Sequence, residues 1–281
     1  MSSSKSHSRR PWWSTLGIYA GLSLAAFIMV IPLLFSFVTA FKSPQDFASH
    51  SPFALPSPPS LTSFQAILTG RVNFGDAIIT TLLMVVVMVV GQLVSSVLAA
   101  YAFARIEFPG REVIFWLFLG TMMIPASVLV IPLYLMMAKM GLNNTFWGIV
   151  IPFVFASPYA VFLLRQSFRQ IPQEIIDAAT MDGAGQMRIL FSIVVPVSKP
   201  IISTLVLITV VSQWNSFMWP RIIAATRPRV LTVATAALQS QYNANWTYVM
   251  AATTIALVPL IALFIVFQRH IVESIALTGI K

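Results

Sequence analysis

The side chains that could carry chemistry are few, and their spacing does not suit catalysis. The three histidines lie far apart and the chain has no cysteine, which argues against a histidine or cysteine metal site and a thiol nucleophile. The Gly-x-x-x-x-Gly-Lys-Ser/Thr loop that binds nucleotide phosphates is also absent. Glu174, Asp177 and Asp182 lie close together between two apolar runs. They add negative charge to the side of the protein on which most of the Lys and Arg residues lie. This favours contact with another protein.

Composition places these carboxylates in a membrane protein. Of the 281 residues, 58% are hydrophobic and 9% are charged, and the mean hydropathy is +0.85. Soluble domains carry about 25% charged residues, so a soluble enzyme is excluded, and the apolar content excludes a disordered chain. The net charge of +9 is explained by basic residues that flank membrane spans, and no nucleic-acid partner is expected.

Charge-free apolar runs predict an all-α fold with six transmembrane helices, since a helix needs about 20 apolar residues to cross a bilayer. The predicted spans are residues 16–41, 77–104, 113–138, 140–164, 201–220 and 246–268. The first is separated from a five-helix core, residues 75–270, by an outer loop, residues 42–74, whose Pro- and Ser-rich composition predicts an extended conformation. Most Lys and Arg residues lie on one side if the tails 1–15 and 271–281 are both cytoplasmic. Prolines inside the runs predict kinks, which serve either ordinary packing or a pathway.

The cytoplasmic loop 169–192 is predicted to contain a docking helix. Pro172 suits the first position of a helix that ends near Met181, and Gly183 and Gly185 are expected to take the left-handed conformations that stop it. The alternative is an amphipathic helix on the membrane surface, but that predicts Lys and Arg on the polar face. The carboxylates and the small face formed by the alanines favour close approach by another protein.

This loop resembles the EAA loop of membrane subunits of ATP-binding-cassette importers. The family pattern is Glu-Ala-Ala, three residues, Gly, nine residues, Ile-x-Leu-Pro. The chain matches it at Ala178, Ala179, Gly183, Ile193 and Pro196, and departs from it at Asp177 and Val195. Residues 214–220, 268–269 and 277–279 resemble the permeases of carbohydrate-uptake importers, the maltose-type group, over residues 15–281.

The resemblance implies a type I importer permease fold in which the loop forms a coupling helix seated on an ATPase. The implied interface residues are Glu174, Asp177, Ala178, Ala179, Asp182 and Gly183. The implied partners are an ATPase dimer, a second permease subunit that makes a heterodimer, an extracytoplasmic substrate-binding protein and the lipid bilayer. ATP and Mg bind to the ATPase, and this chain is expected to hold no cofactor or metal and to be no enzyme. The expected location is a prokaryotic cell membrane.

Two further sets of residues are candidates for contact with substrate or with the binding protein. The outer segment 221–245 resembles the loop that probes the binding protein, and its candidates are Gln239, Ser240, Gln241, Tyr242 and Asn243. A merely solvated connector is the alternative. Polar and stacking side chains in the spans predict a pathway at Gln92, Met122, Met123, Ser127, Gln213, Trp214 and Asn215, with Ser95, Ser96, Thr121 and Ser212 as weaker members. For any single one of them, helix packing without a ligand is the more common explanation.

Other classes of transporter and other cargoes remain as alternatives. A stand-alone secondary carrier normally buries ionisable residues in its spans, and the six runs contain none. A membrane-embedded enzyme has no catalytic constellation here. Within the importer family a mono- or oligosaccharide is the expected cargo, and glycerol 3-phosphate or its diesters are the second candidate. An anionic cargo calls for Arg or Lys in the pathway, which the partner permease would have to supply.

Overall fold

The computed structural model describes residues 12–70, 74–241 and 245–279; the side chains of 12, 14, 239–241 and 268–279 are not described. Every regular element within these ranges is helical, which confirms the all-α prediction. The α-helices are α1 Trp12–Ala40, α2 Pro44–Ser49, α3 Thr62–Thr69, α4 Phe74–Arg105, α5 Arg111–Gly120, α6 Ala126–Lys139, α7 Phe146–Val150, α8 Pro158–Arg169, α9 Gln173–Met181, α10 Gln186–Ile189, α11 Val195–Val197, α12 Lys199–Trp214, α13 Met218–Ile223, α14 Leu231–Gln241 and α15 Trp246–Gly279. Single-turn 3₁₀ elements cover Thr121–Met123 and Ile151–Phe153, and a π-helical turn covers Leu190–Val194.

Three described helices are long and apolar enough to cross a membrane: α1, α4 and, over Trp246–Phe267, α15. Up to three more crossings arise if each of three bent helix pairs forms one span. The number of six spans therefore stays a prediction.

The predicted span 113–138 is not a continuous helix. Its two halves, α5 with the following 3₁₀ turn and α6, meet at 100°. Pro125 stands at the break with extended backbone (φ −58°, ψ 132°) and precedes the first residue of α6. Proline has no backbone N–H, and it disfavours helical geometry in the residue before it, so the chain turns here.

The next two predicted spans also differ from their sequence bounds. Residues 140–145, assigned to the fourth span, form a turn in which Gly141 and Asn144 have positive φ (71° and 56°). Helix α7 starts after this turn, and the pair that ends in α8 bends by 41°. The predicted span 201–220 stops at Trp214, because α12 ends there and α13 is a separate helix.

The packing divides into two apolar clusters that share α4. One cluster joins α4 residues such as Met84 and Met88 to Trp214, Trp219 and the start of α15. The other joins the last turns of α4 to α5, α8, α9 and α10. Helix α4 packs mainly on α8 and α12, whereas α1 packs on α15. The first cluster lies towards the predicted outer side and the second towards the predicted cytoplasmic side.

Gly148 sets a packing constraint that gives a first prediction. A Cβ at Gly148 would lie 2.2 Å from the backbone oxygen of Leu142, and the indole N–H of Trp219 donates to the carbonyls of Gly148 and Ile149 at 3.2 Å. Gly148→Ala must therefore displace the backbone, and we expect it to lower the free energy of unfolding by about 1–3 kcal/mol.

Thermal unfolding of the purified complex in detergent measures this effect. Gly75→Ala is the control, because a Cβ at Gly75 meets no atom within 4 Å. Equal unfolding temperatures for the two variants would contradict the close approach at Gly148.

Candidate functional site

The site is the α9–α10 segment, residues 173–189, which lies inside the predicted coupling loop. Helix α9 ends at Met181, as predicted, but begins at Gln173, so Pro172 precedes the helix and is not part of it. Gly183 has a φ of +79°, which confirms the predicted left-handed stop. The prediction for Gly185 is wrong, since its φ is −73° with extended ψ. One left-handed residue is enough to end the helix, and Gly185 then leads into α10.

The turn after α9 satisfies the last carbonyls of the helix. The N–H of Gly183 donates to the carbonyl of Thr180 at 3.0 Å, and the N–H of Ala184 donates to that of Ala179 at 2.9 Å. Such bonds across a left-handed residue are typical of helix C-termini. They fix the direction in which the segment leaves α9.

The segment has one buried and one exposed face. Ile176 (6% exposed) and Ile189 (0%) belong to the cytoplasmic cluster. Met181 is 88% exposed, and Ile175 is also exposed. Of the predicted interface residues Ala179 is half-buried, and the exposed ones are Glu174, Asp177, Ala178, Asp182 and Gly183. The exposed face therefore combines carboxylates, small residues and large apolar side chains.

Arg105, the last residue of α4, holds the start of the segment. Its Nη1 donates to Oε1 of Gln173 at 2.6 Å, and its Nη2 donates to the carbonyls of Phe168 and Ile171, both at 2.5 Å. Gln173 in turn donates from Nε2 to Oδ1 of Asp177 at 2.9 Å. One guanidinium thus ties the end of a long helix to the turn between α8 and α9.

Two more contacts fix the base of the segment. The hydroxyl of Tyr101, one turn before Arg105 on α4, donates to Oε1 of Gln186 at 2.7 Å, which holds α10. On the neighbouring helix Arg165 forms an ion pair with Glu112 of α5, and its guanidinium carbon lies 3.9 Å from the centre of the Phe115 ring. These contacts join α4, α5, α8 and α10.

Sequence reasoning missed Tyr101 and both arginines. Each arginine was counted only as a basic residue near the end of a span. Their partners are mostly backbone carbonyls or residues distant in sequence, and no spacing in one sequence relates such groups. An arginine that ends a long apolar helix is the only available hint.

A shallow concavity of about 210 Å³ lies beside the turn after α9. Its lining includes the small residues Ala179 and Ala184 and two groups of opposite charge, Asp182 and Arg188. A side chain from a partner surface would fit a space of this size. The concavity adjoins the exposed face of the segment.

The predicted pathway residues lie in several places. Met122, Met123 and Ser127 are exposed around the break between α5 and α6. Gln92 lies on α4 and donates to the carbonyl of Phe153, whereas Gln213 is half-buried near the end of α12. These residues occupy four different elements.

Trp214 and Asn215 differ sharply although they are adjacent. Trp214 is 4% exposed, and its indole N–H donates to the carbonyl of Ala256 at 3.2 Å. It therefore packs α12 against α15, which disagrees with the prediction of a ring that stacks on sugar. Asn215 is exposed, and its amide donates to the carbonyl of Val211 at 2.8 Å. Its amide oxygen and second N–H remain free for a ligand by geometry.

The weaker pathway candidates form hydrogen bonds within the protein, which fits the alternative that they serve helix packing. Ser96 is fully buried and accepts the N–H of Ser157 at 3.1 Å, while Ser95 donates to the carbonyl of Gly91. Thr121 likewise donates to the carbonyl of Phe118. Ser96 thus satisfies a backbone group of another segment. Ser95 and Thr121 bond to carbonyls one helical turn earlier in the chain.

The outer candidates are only partly described. Tyr242 and Asn243 lie outside the described residues, as do the side chains of Gln239, Ser240 and Gln241. The helix that leads to them is held by α4, because Oγ1 of Thr81 accepts the N–H of Leu231 at 2.7 Å. In the part of the chain that is described, no group of three or more His, Asp or Glu side chains could hold a metal ion.

Comparison with known proteins gives consistent matches along the chain. The family described as "Binding-protein-dependent transport system inner membrane component" matches residues 92–276. An arabinooligosaccharides transport system permease protein of Halalkalibacterium halodurans is 31% identical, with 93% of this chain and 94% of that protein covered. A diacetylchitobiose uptake system permease protein of Streptomyces coelicolor is 30% identical, with 92% and 86% covered. An sn-glycerol-3-phosphate transport system permease protein of Yersinia pestis is also 30% identical, with 90% and 93% covered.

A solved structure supports the same fold. It is a crystal structure of a bacterial ABC transporter involved in the import of the acidic polysaccharide alginate, and a chain of it matches with a TM-score of 0.79 and 24% identity over 93% of this chain and 98% of that one. The type I importer permease fold expected from the EAA resemblance is thereby confirmed. The chain belongs to the family of binding-protein-dependent transport system inner membrane components, the permease subunits of ATP-binding-cassette importers.

Proposed function

We propose that this chain forms half of the translocation pathway of an ATP-driven sugar importer and couples it to a cytoplasmic ATPase through the α9–α10 segment. The observation that carries the proposal is the two-sided geometry of that segment. Arg105 and Tyr101 fix one side to α4, and the other side is exposed. A segment that is anchored to α4 on one side and exposed on the other can transmit a displacement from a bound partner to the transmembrane helices.

The chemistry of the exposed face supports an ATPase as the occupant. Met181, 88% exposed, offers a flexible apolar contact, and Glu174 and Asp177 offer carboxylates to basic groups. Ala178 allows a close backbone approach. ATP and Mg would be bound by the ATPase dimer, and this permease would contribute no catalytic residue.

A sugar is the cargo that the relatives favour. Arabinooligosaccharides, diacetylchitobiose and alginate appear in the names of similar proteins. Glycerol 3-phosphate is the second candidate, because one relative is a permease for it. The predicted spans of this chain contain no Lys or Arg for a phosphate, which favours a neutral cargo and leaves any cationic contact to the partner permease.

The proposed assembly contains a second, different permease subunit and an extracytoplasmic binding protein. The family description names the binding protein, and a matched alginate transporter was crystallised with its pentasaccharide-bound periplasmic protein. In the proposed orientation both termini are cytoplasmic, so the α9–α10 segment faces the ATPase and α14 faces the binding protein.

Purification from the native membrane tests the proposal. The tagged chain is extracted in mild detergent, and mass spectrometry identifies what accompanies it. An ATPase subunit and a second permease are expected, and ATP hydrolysis by the complex in lipid nanodiscs should rise with the loaded binding protein. Sugars and glycerol 3-phosphate are then compared as ligands of that protein. A chain that purifies alone and transports without ATP would instead indicate a secondary carrier.

Asn215→Ala tests the pathway. We expect lower uptake with normal assembly, because Asn215 is exposed at the end of α12 and has spare hydrogen-bonding capacity. Loss of one hydrogen bond to a neutral cargo corresponds to about 0.5–1.5 kcal/mol, or about two- to tenfold in affinity. Uptake is measured with radiolabelled sugar in proteoliposomes. Thr204→Ala, which removes a half-buried hydroxyl of α12 that donates to the carbonyl of Pro200, is the control. Unchanged uptake in Asn215→Ala would remove Asn215 from the pathway.

A further inference from the structure

The loop after α1 folds into a compact lobe, residues 41–63, and is not the extended loop that its composition predicts. It contains α2 and the start of α3. Lys42 is 0% exposed, and its Nζ donates to the carbonyls of Ser51 and Pro52, both at 3.1 Å. The N–H of Ser60 donates to the carbonyl of Phe41 at 2.8 Å. The Pro-rich part is therefore folded back against the end of α1.

The lobe turns its carboxylate and its lysine inward. Asp46 is 7% exposed, accepts the N–H of Ser57 at 3.4 Å and lies 3.0 Å from Nδ1 of His50. The stretch from Ser51 to Thr62 has no charged residue at all. Its most exposed large side chains are apolar: Phe53 and Leu55 are each 76% exposed. The polar residues that it exposes, Ser51, Ser57 and Thr62, are uncharged.

Phe53 lies beside α1, more than one turn before that helix ends. Its ring centre lies 5.4 Å from that of Phe35, which precedes Ala40, the last residue of α1, by more than one turn. The apolar run of α1, Thr15–Ala40, has 26 residues, or about 39 Å at about 1.5 Å per residue. The hydrocarbon core is about 30 Å thick, so about six residues of α1 extend beyond it. With this excess at the outer end or shared between both ends, Phe35 lies within about 3 Å of the boundary between acyl chains and headgroups.

We propose that residues 51–61, the rim segment, contact the lipid bilayer, with Phe53 and Leu55 immersed in the interfacial layer. In the orientation proposed above this is the outer leaflet. A soluble binding protein would have to enter the bilayer to reach a ring packed beside Phe35, whereas lipid is already there. Uncharged segments that carry Phe and Leu are suited to this depth. The rim segment thereby fixes the depth at which the outer end of α1 lies in the bilayer.

Site-directed spin labelling tests the depth directly. The chain has no cysteine, so Phe53→Cys and Leu55→Cys each introduce its only thiol, and the unsubstituted complex gives the labelling blank. Each variant is assembled with its partners in phosphatidylethanolamine/phosphatidylglycerol vesicles. Power saturation then compares collisions with oxygen, which concentrates in lipid, and with a water-soluble nickel chelate.

Two reference sites bracket the result. Phe27→Cys lies within α1 at a 62% exposed position and marks the hydrocarbon core. Gln45→Cys lies at an exposed polar position of α2 in the same lobe and marks water. We expect the oxygen-to-nickel ratio at residues 53 and 55 to be severalfold above that of residue 45 and below that of residue 27.

Either of two results would overturn the proposal. A ratio equal to that of residue 45 would place the rim segment in water, where a binding protein can reach it. Low collision with both reagents would show that protein, such as the partner permease, covers it. Because the ratios depend on neither cargo nor ATP hydrolysis, failure of the proposed transport function would leave them unchanged.

Discussion

Arg105→Ala is expected to reduce ATP-driven uptake by tenfold or more while the complex still assembles. The substitution removes three hydrogen bonds from one charged donor, and bonds of this kind contribute about 1.5–3 kcal/mol each. Losing even one such bond shifts the equilibrium from the anchored towards the released α9–α10 segment by about tenfold or more. A displacement of α9 by the ATPase would then be absorbed by the turn between α8 and α9 and would not be transmitted to α4. Uptake and ATP hydrolysis are both measured in proteoliposomes.

The ratio of cargo moved to ATP hydrolysed distinguishes a positioning role from a general loss of folding. For Arg105→Ala we expect this ratio to fall, since ATP turnover continues on the partner subunit. Arg105→Lys should rescue only part of it, because a compact ammonium cannot match the planar fork of the guanidinium. Arg169→Ala is the matched control: it removes an exposed arginine from the end of α8. Equal loss in the Arg105 and Arg169 alanine variants would show that only the basic charge matters.

Gly183→Val is expected to lower uptake by about tenfold without a loss of membrane insertion. Gly183 has a φ of +79° and no atom within 4 Å of an added Cβ, so the effect arises from the backbone alone. A left-handed conformation costs about 1–2 kcal/mol for an L-residue with a Cβ, and more for a β-branched one. The turn after α9 should therefore rearrange and displace the exposed carboxylates from the predicted ATPase surface.

Two substitutions separate conformation from side-chain contact at this turn. Gly183→Asn should retain most uptake, because asparagine adopts the left-handed conformation more readily than other residues. Gly185→Ala should be neutral, since Gly185 has a φ of −73° and an added Cβ meets no atom within 4 Å. Binding of the purified ATPase to the permease pair in nanodiscs measures the docking itself. Normal ATPase affinity in Gly183→Val would remove the turn from the proposed interface.

The amino-acid sequence was sufficient for the class of protein and for the position of helix α9, which carries the candidate site. Charge-free apolar runs in a chain with only 9% charged residues indicate a membrane protein, because the hydrophobic effect acts on composition and not on detailed geometry. Helix α9 was predictable because a proline before its start and a left-handed glycine after its end are local signals. The EAA spacing, which lies in the same short stretch, pointed to the family that the comparisons show.

Only the tertiary structure decided how these parts connect. Arg105 finds its acceptors in the turn between α8 and α9, and Trp214 is buried against α15. The inward turn of Lys42 likewise depends on the carbonyls of Ser51 and Pro52, which the fold brings to it. Hydropathy reports how apolar a segment is, but a burial or a bend is set by the neighbours that satisfy its polar groups. Those neighbours are brought together by folding, so no local pattern could specify them.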